Sequence, residues 1–278
     1  MNVLRSLLAL VTSFLALITA FLCPTPQDTG TARLTQEKTL TFLDAFVCGQ
    51  GLDSDGEYYY TSGSITAAKL TGLAKLDAAT LAVVAQNWYA LPQDMIDAGY
   101  DHIGDIAYYD GVIYAPSEGE ADDVPMILLY DADDLSYTGE LYELHDDSLT
   151  DGVPWCACDE QYLYVSRFSD ADVVCVFDRN TGAFVRDITL SEPVDRIQAG
   201  DVYDGVLYLN CDPKDGNKTV YRVDLTTGGV TLVFDRNTTG YDTETEGMCV
   251  LPGGSGPVFH IADYNKLVSV FIRVYEPK

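Results

Sequence analysis

The chain has 278 residues, with 43 acidic side chains against 16 basic ones and a net charge of −27 at pH 7. That balance excludes a nucleic-acid binder, whose affinity comes from Lys and Arg neutralising phosphates, and it makes an anionic membrane surface an equally poor partner. With 47% apolar and 11% aromatic residues the chain can bury a large core, and nineteen tyrosines against four methionines favour strands.

Residues 7–22, LLALVTSFLALITAFL, form an uncharged apolar run behind Arg5. This is the layout of a secretory signal, and its length also approaches that of a bilayer-spanning anchor, so residues 1–22 read as one or the other. Either reading puts the rest of the chain outside the cytoplasm, secreted or held at a membrane by this one segment. Residues 23–38 are polar, hold Pro24 and Pro26, and read as a tether; residues 39–278 read as the folded domain. Cys48, Cys156, Cys158, Cys175, Cys211 and Cys249 all sit in strand-like runs; their even number outside the cytoplasm permits disulfides, which a fold of this size does not need, and they read as small buried hydrophobes. The one-residue gap of Cys156-Ala157-Cys158 is too short for a zinc pair, and no metal motif is written.

A repeat emerges when the turns are aligned. SDGEYYY at Ser54 to Tyr60, YYDGVIY at Tyr108 to Tyr114, CDEQYLY at Cys158 to Tyr164 and VYDGVLY at Val202 to Tyr208 form one series, with GSGPVFH at Gly254 to His260 as a weaker fifth member. Asp-Gly between alternating apolar and aromatic residues is a strong hairpin signal, because both central residues of a type I′ turn need positive φ. A third strand follows each hairpin and ends on an aspartate and a turn, at Asp77, Asp131, Asp178 and Asp224; a short fourth strand comes next. Four antiparallel strands recurring every 45 to 55 residues describe a β-propeller blade. The last unit has three strands, and the orphan strand TLTFLDAF at Thr39 to Phe46 fits its vacancy, closing the ring and removing its edges. The fold class is therefore all-β, a propeller of five four-stranded blades closed by an N-terminal strand. Six blades are the alternative if Gln86 to Tyr100 hides a degenerate one.

Propellers bind ligands where the first strands of the blades converge on the axis. The opening residues of those strands are Gln50-Gly51, His102-Ile103-Gly104-Asp105, Pro154-Trp155, Gln198-Ala199-Gly200-Asp201 and Glu246-Gly247. Glycines let the strands approach, and the polar neighbours become a ring, so Gln50, His102, Asp105, Trp155, Gln198, Asp201 and Glu246 are the candidate ligand-binding residues. Asp105 lies five residues before Asp110 and Asp201 three before Asp204; the even difference keeps both on one face of the pleat. Acids confined together must raise a pKa or meet a cation, which opens acid–base work, a bound calcium or recognition of an amine. The plainer role is hydrogen bonding to backbone amides of neighbouring blades. His102 beside Asp105 serves as a base or a structural donor, and Trp155 as a channel plug or a stacking platform.

Gln50-Gly51-Leu52 followed by Tyr59-Tyr60-Thr61-Ser62-Gly63, Trp155 in the third unit, the segment Asp201 to Asn210 and Glu246-Gly247 together resemble the glutamine cyclotransferase family, the five-bladed plant and bacterial type of glutaminyl cyclase. The resemblance implies that fold and cyclisation of N-terminal glutamine. This chain departs from it at two acids: Tyr60 or Thr61 stands for the blade-one glutamate, and Val153-Pro154 precedes the tryptophan. No nucleophile elbow or phosphate-cradling loop is present. The expectation is an extracytoplasmic, monomeric binding module for a small polar or cationic molecule, a peptide or a glycan, with no resident cofactor beyond a candidate calcium. A cyclase-like or lactonase-like enzyme using Asp201 or Glu246, with His102 orienting the substrate, is the second reading. A protein-interaction scaffold is the third.

Overall fold

The computed structural model describes residues 31–41, 48–65, 68–119, 124–150, 152–214, 217–236, 243–265 and 269–278. The apolar run at 7–22 lies outside these residues, and among them no helix is long and apolar enough to cross a membrane.

Strand β1 (Ala32–Thr41) precedes five small antiparallel sheets arranged in a ring. Blade 1 is β2 (Leu52–Ser54), β3 (Tyr58–Ile65), β4 (Leu70–Asp77) and β5 (Val83–Asn87). A short helix α1 (Gln93–Ala98) leads to blade 2, built of β6 (His102–Ile103), β7 (Ala107–Tyr109), β8 (Val112–Glu118), β9 (Met126–Asp131) and β10 (Tyr137–Glu143), the first two being halves of one inner strand. Blade 3 is β11 (Cys156–Cys158), β12 (Tyr162–Val165), β13 (Ala171–Asp178) and β14 (Phe184–Val194). Blade 4 is β15 (Ile197–Tyr203), β16 (Val206–Cys211), β17 (Lys218–Asp224) and β18 (Val230–Arg236). Blade 5 is β19 (Thr243–Pro252), β20 (Pro257–Asn265), β21 (Ser269–Pro277) and, outermost, β1. The count is five; the stretch that could have hidden a sixth blade holds the end of β5 and helix α1.

The closing strand pairs with β21 from Ala32 opposite Pro277 to Thr41 opposite Ser269, so it begins at Ala32 instead of Thr39. Its sequence ARLTQEKTLT buries Ala32 and Leu40 but leaves much of the strand in solvent, as an outermost strand must, and polar composition disguised it as tether. Closure extends to blade 1: Lys38 Nζ donates to the Ala78 carbonyl, and the Tyr59 hydroxyl lies 2.5 Å from His260 Nδ1.

The hairpins use two turn chemistries. Asp110-Gly111 and Asp204-Gly205 are two-residue turns with positive φ at both positions, at 48° and 84° and at 50° and 73°. In blades 1 and 3 the aspartate instead accepts two backbone N–H groups, Asp55 from Glu57 and Tyr58 and Asp159 from Gln161 and Tyr162. At the third-strand turns, the N–H of Leu81, Leu135, Gly182 and Gly228 each donates to the carbonyl four residues back at 2.8 Å.

Register exposes a repeat that the turns blur. Asp53 faces Tyr60, Ala107 faces Tyr114, Ala157 faces Tyr164, Asp201 faces Tyr208 and Val250 faces Phe259, one aromatic per blade. Five buried apolar clusters fill the seams between neighbouring blades, each joining side chains of two of them. Burying one large apolar side chain contributes about 1.5–3 kcal/mol, so these seams hold the ring together.

Candidate functional site

The inner strands reach the axis because small residues line it. A Cβ on Gly104 would stand 2.0 Å from the Pro154 carbonyl oxygen, and one on Gly247 would stand 2.2 Å from the Leu52 N–H nitrogen. Blade 2 breaks its inner strand between β6 and β7, and there Asp105 leaves its own sheet to bridge blade 3. Its N–H donates to the Pro154 carbonyl at 2.8 Å, and its carbonyl accepts from Cys156 N–H at 3.2 Å.

Three carboxylates occupy this axis. Asp105, 1% exposed, accepts the N–H of Leu52 at 2.9 Å and of Gly200 at 3.2 Å, from blades 1 and 4. Asp53, 7% exposed, accepts the N–H of Tyr108 in blade 2 and of Ser54 at 2.6 Å. Asp201, the least enclosed of the three, accepts the N–H of Val250 in blade 5 at 2.6 Å. Thus each acid latches its blade to another, which is the plainer role expected of inner-strand acids.

Burial is the largest influence on all three and drives their pKa values up. Asp201 is pushed to about 7, with backbone N–H groups opposing the shift. Asp53 is raised further by the charge of Asp201, and Asp105 by Asp53 and Asp201. The thiols of Cys156, Cys158 and Cys249 are within reach of the same charges and are raised as well, burial again leading. Every blade thus contributes an acid or a thiol to the axial group. These donors do not form a metal cage: among the described residues the one set of three with ligand atoms within 4.8 Å of one another is Asp146, Cys175 and Asp187, elsewhere in the molecule.

Of the seven sequence candidates, the structure brings Asp105 and Asp201 together on the axis. Gln50, His102 and Gln198 sit partly buried at or beside the strand openings, and burial lowers the pKa of His102 against the opposing charge of Asp101. Trp155 is fully buried in the core between blades 3 and 4, its indole N–H donating to Ser166 Oγ at 3.2 Å. Glu246, 4% exposed, belongs to a different group, at the seam of blades 4 and 5. There burial and then Glu244 and Asp212 raise its pKa while Lys218, paired with Asp212, opposes them.

The sequence reading missed Asp53. By register Asp53 is the counterpart of Asp201, whereas aligning Asp55 with Asp204 slips the count by one residue and turns Asp53 to the wrong face. It also missed a buried ionic network beside Glu246. Asp263 accepts from Arg236 at 2.8 and 3.1 Å and from Arg273, whose Nε donates to Glu37 of β1 at 2.8 Å.

These features define a five-bladed β-propeller with an acidic axis. No family model matches the chain, and no curated protein does. Among solved structures it is similar to a β-xylosidase, RS223, at TM-score 0.57 and 11% identity, covering 86% of this chain and 94% of that one. A GH43 endo-arabinanase from Bacillus licheniformis is similar at TM-score 0.49 and 15% identity, over 83% and 93% of the two chains. Hydrazine synthase of Kuenenia stuttgartiensis matches at TM-score 0.44 and 14% identity over 75% of this chain, which spans only about half, 53%, of that longer chain. At such identities the likeness is one of fold.

Proposed function

We propose that this chain is an extracytoplasmic binding module that takes an organic cation, such as an amine, on the carboxylates of its axis. The observation that carries this reading is the convergence of Asp53, Asp105 and Asp201 from three blades, with burial raising all three and neighbouring carboxylate charge adding to the rise at Asp53 and Asp105. A bound cation relieves that repulsion and lets the acids ionise. No three of these donors have ligand atoms within 4.8 Å of one another, which favours an ammonium group over calcium. Asp201, the most open of the three, is the point of entry. The apolar run at 7–22 supports the location.

A glycan-cleaving channel is the second reading, suggested by the β-xylosidase that shares the fold. Cleavage needs one protonated and one ionised carboxyl free to flank the sugar bond. Here Asp53 and Asp105 already accept backbone N–H groups and are almost enclosed, which favours binding over turnover. Glutaminyl cyclisation has less support, because Tyr60 and Thr61, 1% and 2% exposed, are buried where the blade-one acid of that family stands.

The test is thermal unfolding of the full chain at pH 8 with spermidine, choline or lysine amide. At a ligand concentration 100 times Kd, stabilisation of about 2.7 kcal/mol is expected in the wild type and its loss in Asp201→Asn. Equal responses in the two proteins, or none to any of the three probes, sink the proposal. Release of xylose from an aryl xyloside, abolished in Asp201→Asn, would install the enzyme instead.

A further inference from the structure

The described residues hold one convergent set of metal-type donors, and it lies away from the axis. Cys175 on β13 and Asp187 on β14 are direct partners across the ladder, so both side chains leave the same face of blade 3. Asp146 comes from the link between blades 2 and 3. Its carboxylate accepts the N–H of Ser148 at 2.8 Å and the hydroxyl of Ser148 at 2.6 Å, and its carbonyl accepts Leu149 N–H at 3.2 Å, which fixes the loop. The same Ser148 hydroxyl lies 3.0 Å from Cys175 Sγ. One donor atom from each of the three residues falls within 4.8 Å of the other two.

The chemistry of the set selects the ion. Tetrahedral zinc with bonds of about 2.0–2.3 Å holds its ligand atoms about 3.3–3.7 Å apart, so small side-chain rotations bring the three donors onto one ion and leave the fourth position to water. Two ligands are set by the sheet and the third by a hydrogen-bonded turn. Calcium and magnesium call for six or more oxygens and have no use for a thiolate, whereas zinc, cobalt and cadmium accept sulfur and carboxylate together. Cys175 is buried while Asp187 is exposed, so an ion arriving from solvent meets the carboxylates first and the sulfur last. A cysteine thiol is protonated at neutral pH, whereas the ligand to a metal is the thiolate. Binding must therefore expel a proton from sulfur.

We propose that Asp146, Cys175 and Asp187, with Ser148 beside them, form a zinc-type site that pins the link between blades 2 and 3 to the sheet of blade 3. The full chain titrated with cobalt tests it. One ion per chain should give a thiolate-to-metal charge-transfer band and release about one proton near pH 7, and zinc should displace the cobalt. Cys175→Ser should abolish the band, and Asp187→Asn, at an exposed position that leaves the fold intact, should weaken binding roughly tenfold or more. Asp201→Asn should leave the band unchanged, which separates this site from the axial one. Absence of the band at stoichiometric cobalt, binding without proton release, or a band that persists in Cys175→Ser overturns the proposal.

Discussion

Asp263 and Asp105 are the same side chain at the same depth, 0% and 1% exposed, and they respond to burial in opposite ways. At the seam of blades 4 and 5, the guanidinium groups of Arg236 and Arg273 hold the Asp263 carboxyl below the ordinary range despite its burial. On the axis, burial and the charges of Asp53 and Asp201 hold Asp105 well above it, opposed by backbone N–H groups. Burial alone penalises the ionised form, and a paired cation reverses the sign. The seam acid is thus a permanent anion that ties blade 4 to blade 5, while Arg273 reaches on to Glu37 of the closing strand. The axial acids are instead held towards their protonated form.

The comparison breaks most visibly at the seam. Arg273→Ala leaves Asp263 half-paired and Glu37 without its guanidinium, and a loss of about 3–5 kcal/mol in denaturant unfolding is expected; a loss under about 1 kcal/mol would mean the network is idle. Next comes pH. Asp201 has a folded pKa near 7 against about 3.9 unfolded, so the native state binds the proton more tightly. Stability from this group is full below about pH 4 and is lost as pH rises through 7, by about a few kcal/mol. Asp263 has the opposite sign: its contribution is present above the unfolded value and is lost as pH falls through its lowered folded one. Asp201→Asn should therefore flatten the decline between about pH 4 and 7 in urea midpoints and leave the more acidic limb, set by Asp263, alone.

Smaller effects sharpen the picture. Gly104→Ala drives a methyl group into the Pro154 carbonyl and should cost about 1–3 kcal/mol in the same assay, by forcing blades 2 and 3 apart. Arg33→Ala removes an exposed pair with Glu276 on the closing strand and should cost under about 1 kcal/mol. A larger loss there would shift the weight of ring closure from the buried network to the surface.

The architecture was legible because the hairpin and third-strand aspartates recur at blade spacing and each carries a turn chemistry of its own. The closing strand was legible in kind but not in extent, since ARLTQEK is what an outermost strand and a tether both look like. On the axis, parity counting found Asp105 and Asp201 but slipped at Asp53, where a longer turn shifts the register by one. Trp155 could not be assigned from spacing, because plug and platform use the same ring; its depth in the core between blades 3 and 4 is a tertiary fact. The seam network was out of reach, as Glu37, Arg236, Asp263 and Arg273 come from four strands with no shared motif.

The charge state of the axis is accessible directly by carbon-13 NMR of the aspartate carboxyl groups, with Asp201→Asn assigning the signal. Without ligand, the Asp201 resonance should titrate near pH 7 and move to lower pH when an ammonium ligand binds. A midpoint near 4, unmoved by any cation, would contradict the account.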